Sequence, residues 1–135
     1  MDRNRYICNI TKITTKMKPL FIHYPKCGTC RKAAKWLAEQ GIEAETRDIV
    51  ADKPSADELR EWIAASGLPV RKFFNTSGVL YKEMGLKDKL PAMSEAEMIA
   101  LLATDGKLVK RPVLVLAGRV LVGFGEQEWR AALGR

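Results

Sequence analysis

Two cysteines three residues apart, Cys27 and Cys30 in the stretch YPKCGTCRKA (residues 24–33), are the side chains of this sequence best equipped for chemistry. They follow the apolar run from Leu20 to Tyr24 and open a segment of helical spacing, so Cys27 stands where a strand passes into a helix. The unpaired amides of a first helical turn, together with the helix dipole, favour a thiolate at that point. Lys26, Arg31 and Lys32 place positive charge nearby in the chain, and a large thiolate fraction at neutral pH is the expectation. Gly28 reads as the residue that lets the backbone turn tightly beside the sulfur, with Thr29 following it. Cys30, one turn further and next to the apolar stripe, is placed to attack a mixed disulfide on Cys27. Cys27 then acts as nucleophile and Cys30 resolves.

Two other uses of the pair stand beside this one. Zinc asks for four ligands, and the sequence holds no second cluster; His23, the single histidine, makes at most a three-ligand set with Cys27 and Cys30. A strand histidine is more often simply packed, and cysteines also serve as plain core residues. The expectation is therefore no metal and no bound cofactor. The total of three cysteines is odd, and a chain of 135 residues buries a sizeable core without disulfide or metal staples. No apolar stretch approaches the length of a membrane span. A reducing, cytoplasmic setting follows, in which a Cys-x-x-Cys is catalytic or metal-binding sooner than structural.

The formal charge of +7 raises nucleic acid as a partner, so its location matters. Residues 1–16 hold Arg3, Arg5, Lys12 and Lys16 against Asp2, which leaves only +4 for the chain from Met17 onward. There the cations alternate with Asp and Glu in helical segments, the pattern of a solvated face, and no direct nucleic-acid contact is expected. Residues 1–16 lack an amphipathic period and are read as a leader or upstream extension without order. Met17 is the expected start and Cys8 an incidental thiol; a basic targeting peptide is the competing reading.

The elements that must position the pair can be read along residues 17–135, taken as one domain. LFIHY (20–24) is a short strand, and Cys30, Ala33, Ala34 and Leu37 form one face of a helix from Thr29 to Gln40 that Gly41 stops. IEAETRDI (42–49) alternates as a second strand, parallel to the first. Ser55 with Glu58, and Ser94 with Glu97, mark two capping boxes. The first opens a helix with Leu59, Trp62 and Ile63 inward, the second a helix with Met98, Leu101 and Leu102 inward. Between them LPVRKFFNTSG (68–78) is a helical turn leading into a polar loop, Asn75 to Gly78. After Pro112, VLVL and RVLVGF flank Ala117 and Gly118 as a hairpin, and a last helix carries Trp129, Ala132 and Leu133. The sum is an α/β chain with a four-stranded mixed sheet and a helical insertion, about residues 54–106, between its second and third strands. That is a thioredoxin-like arrangement.

HYPKCGTCRKAAKWL, LVKRPVLV and VLVGFGEQEW together resemble the arsenate reductase and Spx family, above all its small C-G-T-C members that also carry FFNTSG. The resemblance spans about Lys18 to Leu133. It implies the thioredoxin-like fold, Cys27 as the reactive thiol, and a cis bond at Arg111-Pro112. It also implies that arsenate-reducing members hold the oxyanion with three arginines. The second corresponds to Arg111, the first falls on Asn75 and the third near Gly123. Arg71, a turn before Asn75, is the candidate substitute. Losing two charge-assisted contacts, each worth about 1.5 to 3 kcal/mol, works against arsenate. Cys30 stands where such reductases commonly have no second cysteine, which tilts the chemistry towards disulfides.

The function expected is thus a thiol:disulfide oxidoreductase acting on a small thiol or protein disulfide, with glutathione, thioredoxin or glutaredoxin as external reductant. Arg111 is assigned to an anionic substrate group, with Asn75 and Thr76 as neutral donors and Gly28, Thr29, Arg31, Arg71 and Pro112 completing the binding set. Arsenate reduction is the enzymatic alternative. The other is an Spx-like redox sensor that contacts the RNA polymerase alpha subunit.

Overall fold

The computed structural model describes residues 18–135; the readings of residues 1–16, of Cys8 and of Met17 lie outside them. Strand β1 (Leu20–His23) runs into helix α1 (Gly28–Glu39), which returns the chain to β2 (Glu45–Asp48), parallel to β1. A helical segment follows, and then β3 (Val113–Leu116) and β4 (Arg119–Val122) form an antiparallel hairpin before the last helix, α6 (Glu126–Leu133). β3 pairs antiparallel with β1, with Ile22 opposite Val113, so the sheet order is β2-β1-β3-β4.

Side chains alternate across a strand, and each strand of the sheet's centre feeds two cores. Phe21, Leu114 and Leu121 face α1 and α6, meeting Ala33, Trp36, Leu37 and Trp129. Ile22, Val113 and Val120 face the helical segment, meeting Leu59, Trp62, Phe73, Phe74 and Leu102. A mixed sheet with helices on both faces and a helical insertion between its second and third strands is the thioredoxin-like fold expected.

The stripes differ from expectation in detail. In α1 it is Trp36, not Ala34, that is buried with Cys30, Ala33 and Leu37, because the Trp36 ring packs 6.2 Å from Trp129 and 6.0 Å from Phe124. β2 spans four residues and buries none of them fully, as an edge strand can; Ile42 and Ala44 before it reach one core, Ile49 after it the other. Arg47 of β2 grips helix α2 (Ala56–Ser66) instead, with both Nη atoms 2.8 Å from the Glu58 carboxylate and its guanidinium 5.7 Å from the Trp62 ring.

Past α2 the insertion continues as a 3-10 turn (Val70–Phe73), α3 (Val79–Glu83), α4 (Leu86–Lys89), a second 3-10 turn (Leu90–Ala92) and α5 (Glu95–Leu102). Both capping boxes form, at Ser55 with Glu58 and at Ser94 with Glu97. α5 buries Ile99 and Leu102, while Met98 and Leu101 are only half-covered. A third 3-10 turn (Gly106–Leu108) leads to β3. Gly106 is required there, since a Cβ would lie 1.8 Å from the Ile49 carbonyl oxygen. Phe74 then bridges Val109 in antiparallel fashion: the Asn75 amide donates to the Leu108 carbonyl (2.8 Å) and the Lys110 amide to that of Phe73 (2.7 Å). This stitch sets the 75–78 loop beside residues 110–112. No helix among the described residues is long and apolar enough to cross a membrane.

Candidate active site

Cys27 is the N-cap of α1, in extended conformation with φ −92° and ψ 123°. Its Sγ accepts the Cys30 amide at 3.4 Å, and its own amide donates to the Tyr24 carbonyl at 2.9 Å. A sulfur thus takes the capping role that a hydroxyl or carboxylate oxygen usually fills, which favours the charged form. Cys27 is half-buried, whereas Cys30 is fully buried, its Sγ accepting the Tyr24 amide at 3.4 Å.

These surroundings drive the two thiols apart. For Cys27, burial alone would raise the pKa; the Cys30 amide and thiol and the Arg111 guanidinium, by hydrogen bond and by charge, outweigh burial and hold it below its ordinary value. For Cys30, burial foremost, then the hydrogen bond and negative charge of Cys27, push the thiol up to about 12. One is set to be the thiolate, the other to keep its proton. The cation that acts foremost on Cys27 is Arg111, by hydrogen bond and by charge.

Arg111 is held over the Tyr24 ring, its Cζ 4.9 Å from the centroid, and donates to the Lys107 carbonyl at 3.3 Å. The Arg111-Pro112 bond is cis. Pro112 is buried, its carbonyl accepting the Gly123 amide at 2.8 Å.

Cys27, Thr29, Asn75, Arg111 and Gly123 line one open cavity of about 700 Å³. The structure thus gathers these candidates and does not gather others. Arg71 and Thr76 line a different cavity, with Tyr81 and Lys87, so Arg71 is no substitute cation beside Cys27. The chain leaves the 3-10 turn as an extended bridge, so the helical spacing assumed between Arg71 and Asn75 does not exist. Arg31 is exposed and donates to the Pro25 carbonyl at 3.1 Å, bracing the loop before Cys27. Gly28 has no left-handed backbone, and a Cβ there would meet nothing within 4 Å beyond its chain neighbours, so the tight turn expected of it is not what the backbone requires. His23 stacks on Phe21 at 5.2 Å, and among the described residues no three His, Cys, Asp or Glu converge as metal ligands.

Lys110, Ser77, Phe124 and Glu128 also line the cavity and were not singled out by sequence. A lysine adjoining Arg111 in a basic chain carries no spacing signal. Glu128 reads as an ordinary first-turn acid of α6.

A family model described as the ArsC family matches residues 22–132, most of the chain. The chain belongs to the ArsC family. Among ArsC-family relatives, the uncharacterized protein YusI of Bacillus subtilis (strain 168) is 50% identical over 113 residues, 84% of this chain and 96% of YusI. The global transcriptional regulator Spx of Streptococcus pyogenes serotype M1 is 28% identical over 119 residues, 88% of this chain and 87% of Spx. An arsenate reductase of Rhizobium meliloti (strain 1021) is 34% identical over 93 residues, 69% of this chain and 65% of that enzyme. The crystal structure of a putative ArsC family related protein from Bacteroides fragilis superposes with TM-score 0.84 at 61% identity, covering 85% of this chain and 97% of that one. The relatives of this chain thus include one named as an enzyme and one named as a regulator.

Proposed function

We propose that this ArsC-family protein is a thiol:disulfide oxidoreductase of a reducing, cytoplasmic compartment. The Cys27 thiolate attacks one sulfur of a substrate disulfide or glutathione mixed disulfide; the S–S bond breaks, and the departing thiolate takes a proton from solvent. Cys30 then loses its proton and attacks the Cys27 sulfur, releasing the second thiol and leaving a Cys27–Cys30 disulfide. An external dithiol or glutathione returns the two electrons. Cys30 is held protonated partly by the Cys27 negative charge, and that charge disappears once Cys27 is in a mixed disulfide. Resolution therefore becomes easier after the first step and not before it.

The observation that carries this reading is the composition of the cavity at Cys27. A second thiol lies against Cys27, while of the three anchor positions only Arg111 is charged, Asn75 and Gly123 being neutral. Lys110 also lines the cavity, but Glu128 in the same lining offsets it and Arg111 serves the Cys27 thiolate, so an arsenate dianion would be under-compensated there, whereas a single carboxylate would not.

NADPH consumption coupled through glutathione and glutathione reductase tests it, read as the excess over the rate without the protein, with the mixed disulfide of glutathione and 2-mercaptoethanol and, in a parallel arm that also holds glutaredoxin, with arsenate. Turnover of the mixed disulfide alone is expected. Arsenate turnover would overturn the argument from Asn75 and Gly123. The likeness to Spx supports a second reading, a regulator in which the same dithiol senses oxidation. Absence of turnover, with co-purification of the transcription machinery, would select it.

A further inference from the structure

Gly123 and Lys110 fit together in a way that neither the reactive pair nor Arg111 explains. Gly123 follows β4 with φ +76°, a conformation that L side chains rarely adopt. A Cβ at this position would stand 3.1 Å from Lys110 Cε and 3.8 Å from Lys110 Nζ. The lysine's last methylene therefore crowds the space that a side chain at 123 would fill, and its ammonium lies beside it at contact distance. Its backbone is fixed by the 2.7 Å bond from its amide to the Phe73 carbonyl, and it shares the cavity with Cys27 and Arg111. One carboxylate, Glu128, lines the same cavity and lies against Gly125, where a Cβ would be 2.9 Å from Oε1.

We infer that Lys110, reaching across the gap left by Gly123, is a specificity-determining cation that selects reagents and substrates bearing a carboxylate near the sulfur that Cys27 attacks. The inference deepens the disulfide reading and takes its substrate class from it: small anionic thiol compounds over neutral or cationic ones. With Arg111 committed to the Cys27 thiolate and to Tyr24, Lys110 is the cavity's cation available to the ligand. Glu128 opposes it and disfavours a second negative charge beyond the first.

The test needs no turnover. Cys27 is alkylated in parallel with iodoacetate, an anion, and iodoacetamide, its neutral analogue; in both, sulfur bonds to the methylene carbon and iodide leaves. Rates are read at Cys27 by tandem mass spectrometry of the tryptic peptide 27–31. The ratio of the two rates cancels the thiolate fraction and any general loss of access. In the wild type the ratio should exceed that of 2-mercaptoethanol. Lys110→Gln should lower it about fivefold, the factor for one charge pair at contact in a water-filled cleft, Lys110→Arg should keep it, and Glu128→Gln should raise it. High salt should erase the difference between wild type and Lys110→Gln. An unchanged ratio in Lys110→Gln overturns the inference. Failure of the disulfide reading shows differently, as absent turnover with the ratio still high.

Discussion

Replacing Arg111 by Gln removes the hydrogen bond and the positive charge that hold the Cys27 thiol below its ordinary pKa, and leaves the Cys30 amide in place. The midpoint of Cys27 alkylation against pH should therefore move upward, and the rate at pH 7 should fall. Tyr24→Leu, which takes away the ring under the guanidinium, should move it in the same direction by less. A midpoint unmoved by Arg111→Gln would mean that the helix terminus alone sets the thiolate. At this scale the sequence was informative where chemistry requires fixed spacing. Cys27 and Cys30 stand out because only two residues separate them at a strand-to-helix junction, and Arg111 because a proline follows it before a strand. Arg71 misled, since its distance from Asn75 assumed a helix that gives way to an extended bridge. Lys110 was invisible, because its role depends on a missing side chain at 123, far away in the chain.

Among the elements, β2 is fastened to α2 by the Arg47–Glu58 pair, and the attachment is pH-dependent. Arg47's hydrogen bonds, foremost, and the Ser55 amide lower the Glu58 carboxyl to about 2, against the opposing effect of burial. A carboxyl lowered by folding contributes stability that is complete above the ordinary carboxylate range and disappears as pH falls through its folded value. The urea midpoint of the wild type should exceed that of Glu58→Gln at pH 6, and the gap should close between about pH 4.3 and about pH 2. A gap of constant size across that range would show that the pair acts by packing and not by charge. Capping boxes and the β3–β4 hairpin were readable because they rest on local hydrogen-bonding chemistry. The length of β2 and the inward turn of Trp36 were not, since an edge position and the approach of Trp129 are decided by distant parts of the chain.

For the molecule as a whole, Trp129 joins the core under α1 and α6 to the rim of the thiol cavity. It is fully buried, T-stacked 4.9 Å from Phe124, and its indole N–H donates to the Gly123 carbonyl at 3.1 Å. Trp36, in the same core, has a buried indole N–H with no acceptor among the described residues. Trp129→Phe should cost about 1 to 3 kcal/mol in urea unfolding, since it strands a carbonyl and opens a gap, and Trp36→Phe clearly less. Equal costs would contradict the assigned hydrogen bond. The two-core layout was legible because strand alternation and helical period each point to a side. Which distant loops converge on Cys27 was not, because the stitch between 73–75 and 108–110 leaves no local pattern. The central claim is that Cys30 resolves what Cys27 captures. Its most direct test is mass spectrometry of wild type and Cys30→Ser after exposure to oxidised glutathione, mapped to Cys27. A lasting glutathione adduct on Cys27 of the variant, with only an internal Cys27–Cys30 disulfide in the wild type, is the predicted result. An adduct equally lasting in both proteins would contradict it.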